Sequence, residues 1–399
     1  MNVLEKVDVL STISGGSITG AYYCLNADNF DSFEKELYQS LQTKNVIKHV
    51  FLSITFLRLL LFGLFFLVPA FYFLFTANPW FFLLLVAAFF LLLFKFQFFL
   101  FPVSSRIEDI YNKFFFKGKH LGNLKSKPIL VIGSTNLQTA RPFTFSKDRM
   151  QDSTYTFMKP GIEFRSEKFP VARAVMASSC VPFAFTPVKI AKEFFMEKND
   201  FNRVHPILVD GGVYDNQGIH KITQSGSYSC ESVITSDAGG GSTGELSTKN
   251  VISLLLATFD VFMSRIKKNQ MIDDIYENKE TANRQIAYLS LAWDVENCIP
   301  GFISNLSKKI IPDSVITILQ LKYDWVSNPE KYEPELTEHL KSKTNYNKID
   351  KPTEDEKKIA RRVGTNLTSL SKTQVDCLMK QASALTELQV KLYCPSLLI

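Results

Sequence analysis

Histidine is scarce in this 399-residue chain: five in all, His49, His120, His205, His220 and His339. None stands at an evident strand end, so a Ser-His-Asp triad has little to build on. The six cysteines lie far apart, with no Cys-x-x-Cys and no Cys/His ligand spacing. That pattern excludes a disulfide framework and a structural zinc, and it points to reduced thiols in a cytoplasmic domain. No long Lys/Arg run is interleaved with aromatics, and the net charge is a modest +6. Nucleic acid is therefore not an expected partner. The glycine run at 239–244, GGGSTG, lacks the lysine that a phosphate loop places before its Ser/Thr. No metal and no cofactor is expected. The first residues lead straight into an apolar strand without a cleavable signal pattern.

What the chain has in excess is phenylalanine, 35 residues concentrated between positions 51 and 101. Residues 50–75 are apolar except for Arg58, and residues 80–101 except for Lys95. A Thr-Ala-Asn-Pro turn at 76–79 separates the two runs. Each run of about 20 residues, rising about 1.5 Å per residue, spans a hydrocarbon core of roughly 30 Å. Two transmembrane helices joined by a short loop are expected, with Arg58 and Lys95 at similar depth, snorkelling toward the headgroups. Lys44, Lys48, Arg106, Lys113, Lys117 and Lys119 flank the pair and place both ends in the cytoplasm. A shallow re-entrant hairpin and a pair of buried core helices are the alternatives. The expected division is 1–47, an N-terminal segment with a sharp turn; 48–102, the hairpin; and 103–399, the remainder.

The turn in the first segment carries the chemistry. Residues 7–23, VDVLSTISGGSITGAYY, read as a strand, a glycine turn and a small-residue helix. That is the order of a nucleophile elbow. Gly15 and Gly16 let the chain reverse, Ser17 sits at the bend beside a helix N-terminus, and the amide of Ile18 is positioned to donate to an oxyanion.

Farther along, residues 127–134 read as a buried strand, 143–145 and 154–157 as short strands, and 171–178 as a helix leading into an apolar, proline-stopped loop. Strands at 206–209, 232–235 and 284–291 and helices at 251–267 and 374–392 complete the pattern, with a polar stretch at 335–358. Strands alternating with helices predict an α/β domain on a mainly parallel sheet. Asp210 follows the strand residues Ile207, Leu208 and Val209 and precedes Gly211 and Gly212. A carboxylate at a strand's carboxyl end is where such sheets gather catalytic groups, and in an apolar pocket it can accept a serine proton.

Taken in order, ISGGSITGA, ASSCVPFAFTPV and LVDGGVYDNQG resemble the patatin-like phospholipases. TNLQTARPFTF at 135–145, the strand ending at Asp237, and the segment 365–370 with its following helix are similar to later parts of that family. The resemblance implies a three-layer α/β patatin-like fold interrupted by an inserted hairpin. It also implies a Ser-Asp dyad with Ser17 as nucleophile and Asp210 as general base. The reaction implied is hydrolysis of membrane lipid acyl esters through an acyl-enzyme, on a membrane-anchored domain facing the cytoplasm. One departure stands out. The family's Gly-Gly-Gly-x-Arg/Lys-Gly oxyanion loop is not found before Ser17, which leads us to expect an incomplete version of a longer protein. The alternative is an inactive patatin-fold protein that binds lipid or scaffolds a membrane.

Overall fold

In the computed structural model, residues 3–26, 29–76, 78–224, 226–239, 250–272, 283–364 and 367–399 are described. The glycine-rich residues 240–244 and the first two residues of 365–370 lie outside them.

The main sheet is organised by its longest strand, β2 (Ile129–Asn136), an apolar run buried on both faces. Strand β1 (Val9–Ile13) runs parallel to its first half, from Val9 opposite Ile129 to Ile13 opposite Gly133. The chain returns from β2 through tight turns into β3 (Arg141–Phe145) and β4 (Met150–Asp152), both antiparallel to their neighbours. Strand β6 (Ile207–Asp210) pairs antiparallel with the second half of β2, and β5 (Val188–Lys189) pairs antiparallel with β6. Only β1–β2 is parallel here, so the expectation of a mainly parallel sheet is corrected. The physical reason is connection length. Four-residue turns at 137–140 and 146–149 can join only antiparallel neighbours, whereas a parallel pair needs a long crossover. A separate two-stranded parallel sheet joins β7 (Ser232–Asp237) and β8 (Gln285–Ser290). Residues 154–157, expected as a strand, instead belong largely to a single helical turn, Ser153–Thr156, capped by the Asp152 side chain.

The N-terminal helices are α1 (Gly16–Asn26), α2 (Phe30–Thr43), α3 (Val46–Phe51), α4 (Ile54–Leu74), α5 (Trp80–Leu100) and α6 (Val103–Tyr111). After the turn α7 (Ser153–Thr156) comes α8 (Val171–Ser178), whose residues are almost all buried. Helices α1 and α8 pack on the sheet, α6 packs on α8, and α3 on α6. Gly20 lets α1 approach β1: a Cβ there would lie 2.5 Å from the Thr12 methyl. The short α9 (His220–Thr223) and the longer α10 (Val251–Met271) follow β6. A second core forms among helices after residue 295, where Phe302, Leu336, Leu340 and Leu388 are fully buried.

Helices α4 and α5 pack against each other and are long and apolar enough to cross a membrane. Their outer faces stay exposed; Phe65, Tyr72, Leu84 and Phe94 are among the exposed side chains. A buried core pair is thereby ruled out. Arg58 is tied down: its guanidinium donates to the carbonyls of Leu100, at 3.0 Å, and of Phe99. These are the carbonyls left without intrahelical partners at the end of α5.

Candidate active site

Strand direction brings the site together. Strand β1 runs parallel to β2 and β6 runs antiparallel to it, along the same edge. Their carboxyl ends therefore meet head to head, Ile13 opposite Gly133 and Asp210 opposite Ser134. Two glycines make the approach possible. A side chain at Gly133 would strike the Ile13 side chain, and one at Gly211 would strike the Gly133 carbonyl.

The residue after Ile13 is Ser14, and its Oγ donates to Asp210 Oδ2 at 2.8 Å. The other carboxylate oxygen accepts the Gly212 amide at 2.8 Å. Asp210 is 3% exposed, and its amide donates to the Cys180 carbonyl at 2.8 Å. Burial pushes its carboxyl up to about 6; the bonds from Gly212 and Ser14 act against that rise without cancelling it. A carboxylate in this range is ionised at neutral pH yet basic enough to accept a hydroxyl proton.

Ser14 has φ +51°, in the left-handed region that a non-glycine residue seldom enters. It is half-buried, and the next two residues, Gly15 and Gly16, are exposed. A Cβ on either glycine would meet nothing within 4 Å, so the turn is open on the outer side of the two residues that follow Ser14. The first turn of α1 closes behind it, with the Ser17 amide donating to the Ser14 carbonyl and the Ile18 amide to the Gly15 carbonyl. The Ile18 amide, expected as an oxyanion donor, is thus engaged within the helix. The amides of Gly15 and Gly16 stand at the helix N-terminus with no acceptor among the described residues.

Ser17 faces elsewhere. It is fully buried, and its Oγ lies 2.9 Å from Ser178 Oγ. Ser178 gives its one proton to the Gly133 carbonyl at 2.6 Å and accepts the Ser14 amide at 2.9 Å. Ser17 is therefore the donor in the Ser17–Ser178 pair. The expected hydrogen bond from Ser17 to Asp210 is not formed; Ser14 makes it. Sequence reading passed over Ser14, although Thr-Ile-Ser-Gly-Gly at 12–16 has the elbow spacing with Ser14 at its centre and Gly16 as its last glycine.

Gly211 and Gly212 lie where the expected turn places them, in a short 3-10 turn directly after Asp210. Asp215 is occupied structurally, accepting the amides of Gln217, Ile219 and His220. Among the described residues no histidine bonds to Ser14 or Asp210; His49 and His339, for example, bond backbone carbonyls in helical regions. A cavity of about 1090 Å³ beside β4, lined by Arg149, Phe164, Arg165 and Glu167 among others, includes neither Ser14 nor Asp210.

Residues 2–221 match the family model described as patatin-like phospholipase. The chain belongs to the patatin-like phospholipase family. The matched residues take in Ser14, Ser17, the hairpin, the 177–188 loop and Asp210, and they end just after the turn that follows Asp210. Comparisons with curated proteins and with solved structures gave no match. Membership of the patatin-like phospholipases supports lipid acyl hydrolysis in general, with lipids as substrates.

Proposed function

We propose that this patatin-like protein is a membrane-anchored acyl hydrolase in which Ser14 is the nucleophile and Asp210 its general base. The observation that carries the reading is the 2.8 Å hydrogen bond from Ser14 Oγ to a carboxylate that is almost wholly desolvated. In the forward step Asp210 Oδ2 takes the Ser14 proton as Oγ attacks the ester carbonyl of a lipid. The developing oxyanion is received by the free amides of Gly15 and Gly16 at the N-terminus of α1. Protonated Asp210 then gives its proton to the leaving alcohol, leaving acyl-Ser14. Water, deprotonated by the same carboxylate, attacks the acyl carbon; the bond to Ser14 Oγ breaks, the Asp210 carboxyl returns its proton to Oγ, and the fatty acid is released. The left-handed backbone at Ser14 supports the assignment, because strain of this kind persists where function holds the hydroxyl out at a bend.

Helices α4 and α5 form the anchor in this reading. Both ends of the hairpin return to the side that carries the catalytic domain. The flanking Lys44, Lys48, Arg106, Lys113, Lys117 and Lys119 support the reading of that side as the cytoplasmic one. The test is direct: full-length protein in nanodiscs is expected to react with a fluorophosphonate and to release fatty acid from a glycerolipid ester. Failure of both, in protein with a cooperative melt, would leave the inactive lipid-binding alternative.

A further inference from the structure

The site is bordered by a helix with two unlike faces. One face of α10 covers the dyad region. Met263 lies against Gly212, where a Cβ would come within 2.5 Å of its methyl. Lys267 pairs with Asp237 at 2.5 Å, and Gln270 donates to Asp215 at 3.1 Å. Phe259, on the same face, packs edge-on against Phe183 at 6.1 Å between ring centroids. Away from these contacts the helix presents Val251, Leu254, Leu255, Val261 and Phe262, each about half or more exposed, an arc that meets the covered face where Leu255 and Phe262, four before and three after Phe259, flank it. Arg265 and Lys268 continue it, also exposed.

What borders this face identifies its occupant. Phe183 is 72% exposed with φ +70°. It sits in the apolar loop 180–187, whose Cys180 carbonyl holds the Asp210 amide. The same loop is fastened to the foot of the hairpin: Ser104 Oγ, four residues past the end of α5, donates to the Thr186 carbonyl at 2.5 Å. Hairpin foot, loop, α10 and dyad are therefore successive neighbours. An apolar helix face followed by basic residues matches the acyl boundary and the headgroups of one leaflet.

We infer that the outer face of α10, together with Phe183, is a second membrane-docking surface. It lies in the leaflet that the hairpin enters and sets the mouth of the site at the lipid interface. This rests on the reading of α4–α5 as membrane-embedded. An interfacial helix of this kind sinks about 5–10 Å into the headgroup and acyl boundary.

The experiment uses the full chain in nanodiscs containing anionic lipid, with an environment-sensitive fluorophore on single introduced cysteines. The positions are Phe262→Cys on α10, Leu84→Cys on the hairpin and Tyr323→Cys on the exposed C-terminal region, with the unsubstituted chain correcting for native thiols. The quencher is a nitroxide carried on the lipid near the glycerol backbone or along the chain. Labels at 262 and 84 are expected to be quenched at least about twofold more than the label at 323, with the one at 262 deepest near the headgroups. If 84 responds and 262 behaves like 323, the docking surface is overturned while the hairpin stands. If neither responds, both fall. If the label at 262 is shielded from lipid and aqueous quenchers alike in a concentration-dependent manner, a second copy covers the face and the proposal is again overturned.

Discussion

Ser14 and Ser17 lie three residues apart on one turn, yet they occupy opposite environments. Ser14 is at the tip, half-exposed, strained, and bonded to a carboxylate. Ser17 is inside, fully buried, and bonded to a neutral hydroxyl that is itself bonded to a backbone carbonyl. A serine becomes a nucleophile when a base can take its proton and a substrate can reach it. Ser14 has a carboxylate at 2.8 Å and is partly exposed, and Ser17 has neither feature, which is the basis of the proposal. The Ser17–Ser178–Gly133 chain does something different: it fixes the Ser14 amide through Ser178 Oγ and so holds the tip in place. In the proposed reading Ser17 and Ser178 act as positioning residues.

The largest effect separating the two environments is expected at the base. Asp210→Asn keeps one acceptor oxygen for the Gly212 amide but sets an NH2 donor in place of the oxygen that faces Ser14 Oγ, and ester hydrolysis is expected to fall by at least about 10³-fold. In the unsubstituted protein kcat/KM is expected to fall about tenfold per pH unit below about pH 6, where Asp210 takes up its proton. Stability moves the other way. The folded pKa is raised above 3.8, so this group's contribution is fully present below about pH 4 and is lost as pH rises through about 6. Asp210→Asn is therefore expected to be more stable than the parent at pH 7, by up to about 3 kcal/mol, with the gap narrowing below about pH 6 and closing near pH 4. Calorimetry across that range checks the sign.

Ser178→Ala probes the inner side. It removes the acceptor of the Ser14 amide and of the Ser17 hydroxyl, and the donor to the Gly133 carbonyl. A loss of about 1–3 kcal/mol in stability is expected from the buried groups left unpaired. Fluorophosphonate labelling is expected to slow but not to vanish. The smallest effects should contrast two glycines. Gly211→Ala sets a methyl against the Gly133 carbonyl and is expected to lower the melting temperature clearly. Gly15→Ala, where a Cβ meets open space, is expected to change it little. Parallel melts of the two variants measure the difference.

Much of this was legible in the sequence. The strand-turn-helix around residues 7–23, the apolar pair at 50–101 and the carboxylate ending a strand at Asp210 are local patterns, and each lies where its residues suggested. The choice between the serines was not legible because local rules do not decide it. Both have small neighbours and both adjoin Gly15 and Gly16. The decision is made by residues more than a hundred positions away: the register that sets Ile13 against Gly133 and Asp210 against Ser134, and Ser178, which captures Ser17. Sheet direction was hidden for a related reason. Alternating helices and strands suggest crossovers, but the turns after β2 and β3 are too short for them.

The central claim is that the nucleophile is Ser14. Full-length Ser14→Ala, Ser17→Ala and the parent would be reacted with a fluorophosphonate, and the modified peptide sequenced by mass spectrometry. The geometry predicts a single adduct on Ser14 in the parent, an adduct on Ser14 in Ser17→Ala, and none in Ser14→Ala with its melting temperature retained. An adduct on Ser17 in the parent, persisting in Ser14→Ala, would contradict it.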